Sequence, residues 1–163
     1  MKSKDYFRAI QIVHLAMVAG ILFFIIISVF MQANAFGTMD NELSNLLMVF
    51  ALAFAAIGIA SSKILFKRKV KKCNAKTTLT EKLDEYRSAL IIKFASLEAP
   101  SFLSIVIYLL TGNTIVLVIA GVLIIVFIMY RPTKEILIGD LELDTKEKAL
   151  INNPEAIVAS NSN

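Results

Sequence analysis

The chain of 163 residues is 57% hydrophobic and only 18% charged, with a net charge of +4 and a mean hydropathy of +0.71. A soluble globular domain, which carries about 25% charged residues, is excluded by that balance. The counts of 6 Gly, 3 Pro and a single Cys also exclude a collagen-like repeat, a disordered chain and a disulfide scaffold.

The apolar residues lie in four long blocks between charged segments, each near the ~20 residues that a helix needs to cross the ~30 Å hydrocarbon layer. The expected fold class is therefore all-α, a polytopic membrane protein of four transmembrane helices. A basic leader, residues 1–8, precedes the first span, residues 9–31, whose clearly polar residues are Gln11, His14 and Ser28. The start resembles a signal peptide, and Ala33-Asn34-Ala35 offers a small-x-small cleavage pattern. The apolar core of a signal peptide is only ~7–15 residues long, so this segment is expected to remain as a span. An external loop, residues 32–45, leads to the second span, residues 46–66. Next comes a basic loop with a helix extension, residues 67–87. In it, Thr78 and Glu81 fit a capping box that starts a helix at Leu79 and runs it through the third span, residues 88–111. A turn too short for anything else joins that span to the fourth, residues 114–130. The tail, residues 131–163, carries the apolar stretch Ile136-Leu137-Ile138, an acidic segment, a short helix from Thr145 capped by Asp144, and a polar end expected to be mobile.

Orientation follows from the basic residues. Lys2, Lys4 and Arg8 precede span one; Lys63, Lys67, Arg68, Lys69, Lys71, Lys72, Lys76, Lys82 and Arg87 cluster between spans two and three; Arg131, Lys134, Lys146 and Lys148 follow span four. The other two loops hold none. The positive-inside rule then puts both termini and the basic loop in the cytoplasm, here beneath a bacterial inner membrane. A cluster directly below a span meets anionic headgroups, so Lys67, Arg68, Lys69, Lys71 and Lys72 are assigned to lipid rather than to nucleic acid. Cys73, without a second cysteine, reads as a free surface thiol.

Inside lipid, helices associate through close backbone approach at small residues. Ala16 and Gly20 in span one, Ala51, Ala55, Gly58 and Ser62 in span two, and Ala95 and Ala99 in span three form such stripes. The longest makes span two the expected central helix. An alternative is that these faces join a partner or another copy.

Span three holds the informative polar residues. Glu98 lies about 15 Å along the helix from residue 88, near the bilayer middle. An ion there is costly, so the carboxyl should be neutral, paired or facing water. Lys93 is rotated ~140° from it and is expected to snorkel to the interface. Glu98 is thus expected to be neutral and to donate a hydrogen bond to a serine or a carbonyl near Pro100. Pro100 frees the carbonyl of Ser96 and marks a helix kink, with Ser96, Ser101 and Ser104 near enough to satisfy freed groups. His14 reads as a packing histidine bonded to a backbone carbonyl or to Gln11, with proximity to Glu98 as the functional alternative.

The run Ser96-Leu97-Glu98-Ala99, with Tyr108 beyond it, resembles the carboxylate-bearing helix of rotary ATPase proteolipids, the c-type subunits, and implies a proton- or cation-carrying carboxylate. The likeness covers about twenty residues; the carboxylate stands on span three, the glycine-rich partner helix is missing, and the topology is opposite. The whole chain, with its tail Arg131-Pro132-Thr133-Lys134-Glu135 and Asp140-Leu141-Glu142-Leu143, resembles small four-span bacterial membrane proteins to which no activity attaches.

No phosphate loop, dinucleotide glycine pattern, metalloprotease helix or nucleophile with a base is present in the sequence. The expected protein is non-enzymatic, with no catalytic residue, metal or cofactor, and serves as an accessory or assembly subunit of a membrane complex. The alternative is a proton- or cation-coupled small-solute transporter component using Glu98.

Overall fold

The computed structural model describes residues 1–34 and 39–158. Its elements are α1 (Ser3–Ala33), α2 (Asn41–Asn74), α3 (Leu79–Thr111), α4 (Thr114–Met129), α5 (Lys134–Asp140) and α6 (Thr145–Asn152). The fold is all-α, with one isolated bridge among the described residues, between Lys2 and Ile157. Residues 35–38, which include the last position of the small-x-small pattern, and the last five residues of the polar tail lie outside the described residues.

Local chemistry starts most of the helices. Asp40 accepts from the Leu43 amide at 2.8 Å to begin α2, and the Thr78–Glu81 capping box begins α3. Asn113, Thr133 and Asp144 cap α4, α5 and α6 in the same way. Between α3 and α4 the chain turns at Gly112, whose φ of 68° lies in the left-handed region where a side chain would be strained. Lys2, by contrast, gives α1 no side-chain cap. The first amide groups of α1 are satisfied by the tail instead, Ser3 donating to the Ala156 carbonyl at 2.9 Å and Lys4 to that of Pro154 at 3.2 Å. The segment around residues 154–158, expected to be mobile, is therefore held in place as the cap of the first helix.

Helices α1, α2 and α3 are long and apolar enough to cross a membrane, and α4 joins them if it is counted with α5, from which it is bent by 81°. Pro132 causes that break, since it lacks an amide proton and disfavours helical geometry at Arg131. At 34 and 33 residues, α2 and α3 extend roughly 50 Å each; the helix extension expected from Leu79 is present, and the basic loop expected before it shrinks to a turn at residues 75–78. Helix continues through Lys67–Asn74 because Lys, Arg, Val and Cys, uninterrupted by Gly or Pro, give it no reason to stop.

The four long helices run alternately up and down, with α1 and α2 flanking the α3–α4 pair. The central helix is α3, not α2. It packs on α1, α2 and α4, and buries Phe94, Leu97, Ser101, Ser104, Ile105, Ile107 and Tyr108. The sequence reading favoured α2 for its small residues, and those residues do face inward: Ala51, Ala55, Gly58 and Ser62 are all buried. They serve the interface with α3 and, through Ala51 and Ala55, a lesser one with α4, whereas large side chains around α3 serve three. The tail folds under the end where α1 begins and α4 ends, burying Leu137, Leu141, Leu143, Ile151 and Val158.

Candidate functional site

Pro100 sits where α3 closely approaches α2 at Gly58. A Cβ added to Gly58 would lie 2.6 Å from Pro100 Cγ and 2.7 Å from the Ser96 carbonyl oxygen. The carbonyl freed by Pro100 thus faces the bare backbone of Gly58. Ser96, Ser101 and Ser104 were expected to take up freed groups, but each donates to the carbonyl four residues before it, those of Ile92, Leu97 and Pro100. The helix runs through Pro100 without ending. The stripes Ala16–Gly20 and Ala95–Ala99 do not pack the bundle; all four residues are exposed, because the turns of α1 and α3 that bear them point away from the other helices.

His14 is buried, with its Nε2 3.0 Å from the Phe127 carbonyl oxygen of α4. Its ring meets those of Phe94 and Phe127 edge-on, with centroids 5.0 and 5.2 Å away, so one residue ties α1 to both α3 and α4. Gln11, one turn earlier, donates to the Pro132 carbonyl at 3.1 Å. Both residues thus serve as clamps on the end of α4.

Glu98 is half-buried on the flank of α3 that also carries Phe94 and Phe102, one turn to either side. Phe94 touches His14 and Phe102 packs on Phe24, so this flank faces α1. The hydrogen bond expected from Glu98 to a serine or carbonyl is absent: among the described residues it makes no hydrogen bond or ion pair, while Ser96, Ser101 and Ser104 each donate within their own helix. No contact joins it to His14, whose Nε2 is taken.

Lys93 does not simply snorkel. Its amine stands 4.2 Å from the centre of the Phe66 ring on α2 and 4.1 Å from that of Tyr130 after α4. Two aromatic faces present negative charge density to the ammonium, so Lys93 links α3 to α2 and to the end of α4 without a direct ion pair among the described residues. Neither ring stood out in the sequence; the available clue was that both lie at the ends of their apolar blocks, where aromatic side chains collect.

Beyond this level lies a polar lattice between the helix extensions and the tail. Lys82 Nζ contacts Glu147 at 2.9 Å and the Glu142 carbonyl at 3.2 Å. Tyr86 donates to Asp140 Oδ2 at 2.8 Å, and Tyr6 to the Leu83 carbonyl at 2.7 Å. Burial pushes both phenols well above their usual range. The Lys69 ammonium, 2.9 Å from Glu85, lowers that carboxyl by hydrogen bonding, so Lys69 faces a partner within the bundle while Lys67, Arg68, Lys71 and Lys72 remain exposed. Cys73 is not a surface thiol. It is fully buried, its Sγ lies 3.2 Å from the Lys69 carbonyl oxygen, and burial pushes its pKa up to about 11. The helical run past residue 66 turned it inward, beneath the tail. Among the described residues no group of three or more His, Cys, Asp or Glu could hold a metal. The chain matches no known protein family, no curated protein and no solved structure.

Proposed function

We propose that this chain is a non-enzymatic integral membrane protein of four spans, with both termini and the α5–α6 cap on the cytoplasmic side of a bacterial inner membrane, acting as an accessory or assembly subunit of a membrane complex. The observation that carries the reading is a girdle of exposed apolar side chains. It runs from Ile12 to Phe30 on α1, from Leu43 to Leu65 on α2, from Ile91 to Leu110 on α3 and from Ile115 to Met129 on α4. At ~1.5 Å per residue the first three stretches measure about 27–33 Å, close to the ~30 Å of a hydrocarbon layer. A water-soluble protein would not leave such a band uncovered. The tail and the basic residues gather at one end of the band, which supports a single cytoplasmic face. The exposed Ala16–Gly20 and Ala95–Ala99 stripes leave room for a partner helix to approach closely. Gentle-detergent extraction followed by native mass measurement tests the subunit role: a co-purifying membrane protein supports it, and an isolated monomer contradicts it.

One observation favours a second reading, a proton- or cation-coupled transporter component. Glu98 lies within the girdle without a hydrogen-bonding or charged partner among the described residues. Flux into reconstituted vesicles discriminates: a pH- or sodium-dependent flux lost in Glu98→Gln supports transport, and its absence supports the subunit.

A further inference from the structure

Between α1 and α4, at the end where α1 begins, lies an open cavity of about 540 Å³. Its mouth holds Arg8 and Arg131, and its walls are Ile12, Leu15, Val18 and Ile128. Gln11 and His14 close the back and are already committed to the carbonyls of Pro132 and Phe127. The two arginines are not: among the described residues neither side chain makes an ion pair or a hydrogen bond. From Arg8 to Val18 the groove rises about 15 Å along α1. Charge is therefore confined to one end and apolar surface to the rest.

The groove opens sideways. Ile12, Leu15 and Ile128 are 56%, 66% and 50% exposed, so an occupant enters across the same apolar surface that forms the girdle. A soluble anion would find a charged mouth but no use for the walls, and an apolar solute would leave two guanidinium groups unpaired. We propose that this groove binds one anionic phospholipid, its phosphate held by Arg8 and Arg131 and an acyl chain lying along Ile12, Leu15, Val18 and Ile128. Guanidinium groups match phosphate oxygens in a bidentate fork, which a cluster of lysines does not. The inference rests on the membrane reading above. It differs from headgroup contact by Lys67, Arg68, Lys71 and Lys72: Arg68 and Lys72 border smaller hollows of about 260 and 490 Å³ between α2 and α3, where the neighbouring Lys69 is already paired with Glu85.

The test is native mass spectrometry of the full chain released from mild detergent with equal amounts of phosphatidylglycerol and phosphatidylcholine. The wild-type protein is expected to retain one phosphatidylglycerol in preference to phosphatidylcholine. Arg8→Gln with Arg131→Gln should reduce that preference by about 30-fold, the ratio that two arginines near an anionic headgroup are worth. Arg8→Lys with Arg131→Lys should restore part of it. Leu15→Trp, which fills the groove and leaves both charges, should also abolish the adduct, and it keeps the proposal testable if the glutamine pair does not fold. Lys67→Gln with Arg68→Gln should leave it intact. The proposal is overturned if the glutamine pair or Leu15→Trp, folded, retains the wild-type preference, or if a large excess of inorganic phosphate displaces the lipid and so reveals a site for the free anion. Carbonate washing of membranes separates the two claims: a chain released by it contradicts the membrane reading, whereas one that resists it and shows no preference overturns this inference alone.

Discussion

Gly58→Ala tests the helix contact on which the interior depends. The added Cβ would stand 2.6 Å from Pro100 Cγ and 2.7 Å from the Ser96 oxygen. Carbon atoms in contact normally lie about 3.5–4.0 Å apart, so α2 and α3 must separate by roughly 1 Å or the proline ring must move. The backbone oxygen cannot yield as a flexible side chain would. Overpacking of this kind costs about 1–3 kcal/mol, and up to about 1 kcal/mol returns because Ala favours helix over Gly. With the full return the net loss is about 0–2 kcal/mol, and the upper half of that range is expected because the Ser96 oxygen cannot move aside. Gly20→Ala and Gly121→Ala are controls, since nothing lies within 4 Å of a Cβ at either position, and each should be neutral or slightly stabilising. Reversible unfolding in mixed micelles of rising denaturing-detergent fraction, followed by circular dichroism, gives the three values. Adding Pro100→Ala should recover part of the Gly58→Ala loss, by removing the ring but not the Ser96 oxygen. The reasoning is refuted if Gly58→Ala behaves like Gly20→Ala, or if the Gly58 and Pro100 changes are simply additive.

Lys93→Met should cost about 0.5–2 kcal/mol by the same assay, and in a double-mutant cycle with Tyr130→Leu the two losses should overlap; independent losses would mean that the ring does not bind the ammonium. Hydrogen bonds from Lys2 and Lys4 hold the Glu155 carboxyl down to about 2 from an ordinary value of 4.5. A depressed folded value contributes stability above the ordinary one and loses it as pH falls, so exchange at the Ser3 and Val158 amides, corrected for intrinsic rates, should accelerate as pH falls from about 4.5 toward about 2. Protection unchanged over that range would count against the Glu155 clasp. Cys73, pushed up to about 11 and fully buried, should resist a maleimide at neutral pH in the folded protein and react promptly once unfolded; equal rates in the two states would contradict its burial.

The long elements were legible because apolar blocks and capping residues are local facts. The Thr78–Glu81 box at the start of α3 and the Asp144 cap of α6 both stand where those residue types require. What escaped was chemistry assembled from distant segments. The missing cap at Lys2 is visible in the sequence, but that Ala156 and Pro154 replace it depends on tertiary folding. Likewise Lys93 could be judged only against Glu98 on its own helix, while its true neighbours, Phe66 and Tyr130, arrive on α2 and beyond α4. Small-residue spacing identified every stripe yet not which way it faces: Ala51 and Ala55 turn inward, Ala16 and Ala95 outward. Cys73 followed from a boundary error, since ending the helix at residue 66 leaves the thiol in a loop and continuing it to Asn74 buries the thiol.

The central claim, four spans with both termini on one side, is tested most directly by the accessibility of single cysteines in intact cells. Buried Cys73 is silent from either side and is first replaced by Ala. A membrane-impermeant thiol reagent should then modify cysteine introduced at exposed Asn41, at the start of α2, without lysis. The same change at exposed Lys146, in α6, should react only after permeabilisation. Labelling of Lys146→Cys in intact cells, or of neither position until lysis, would contradict the account.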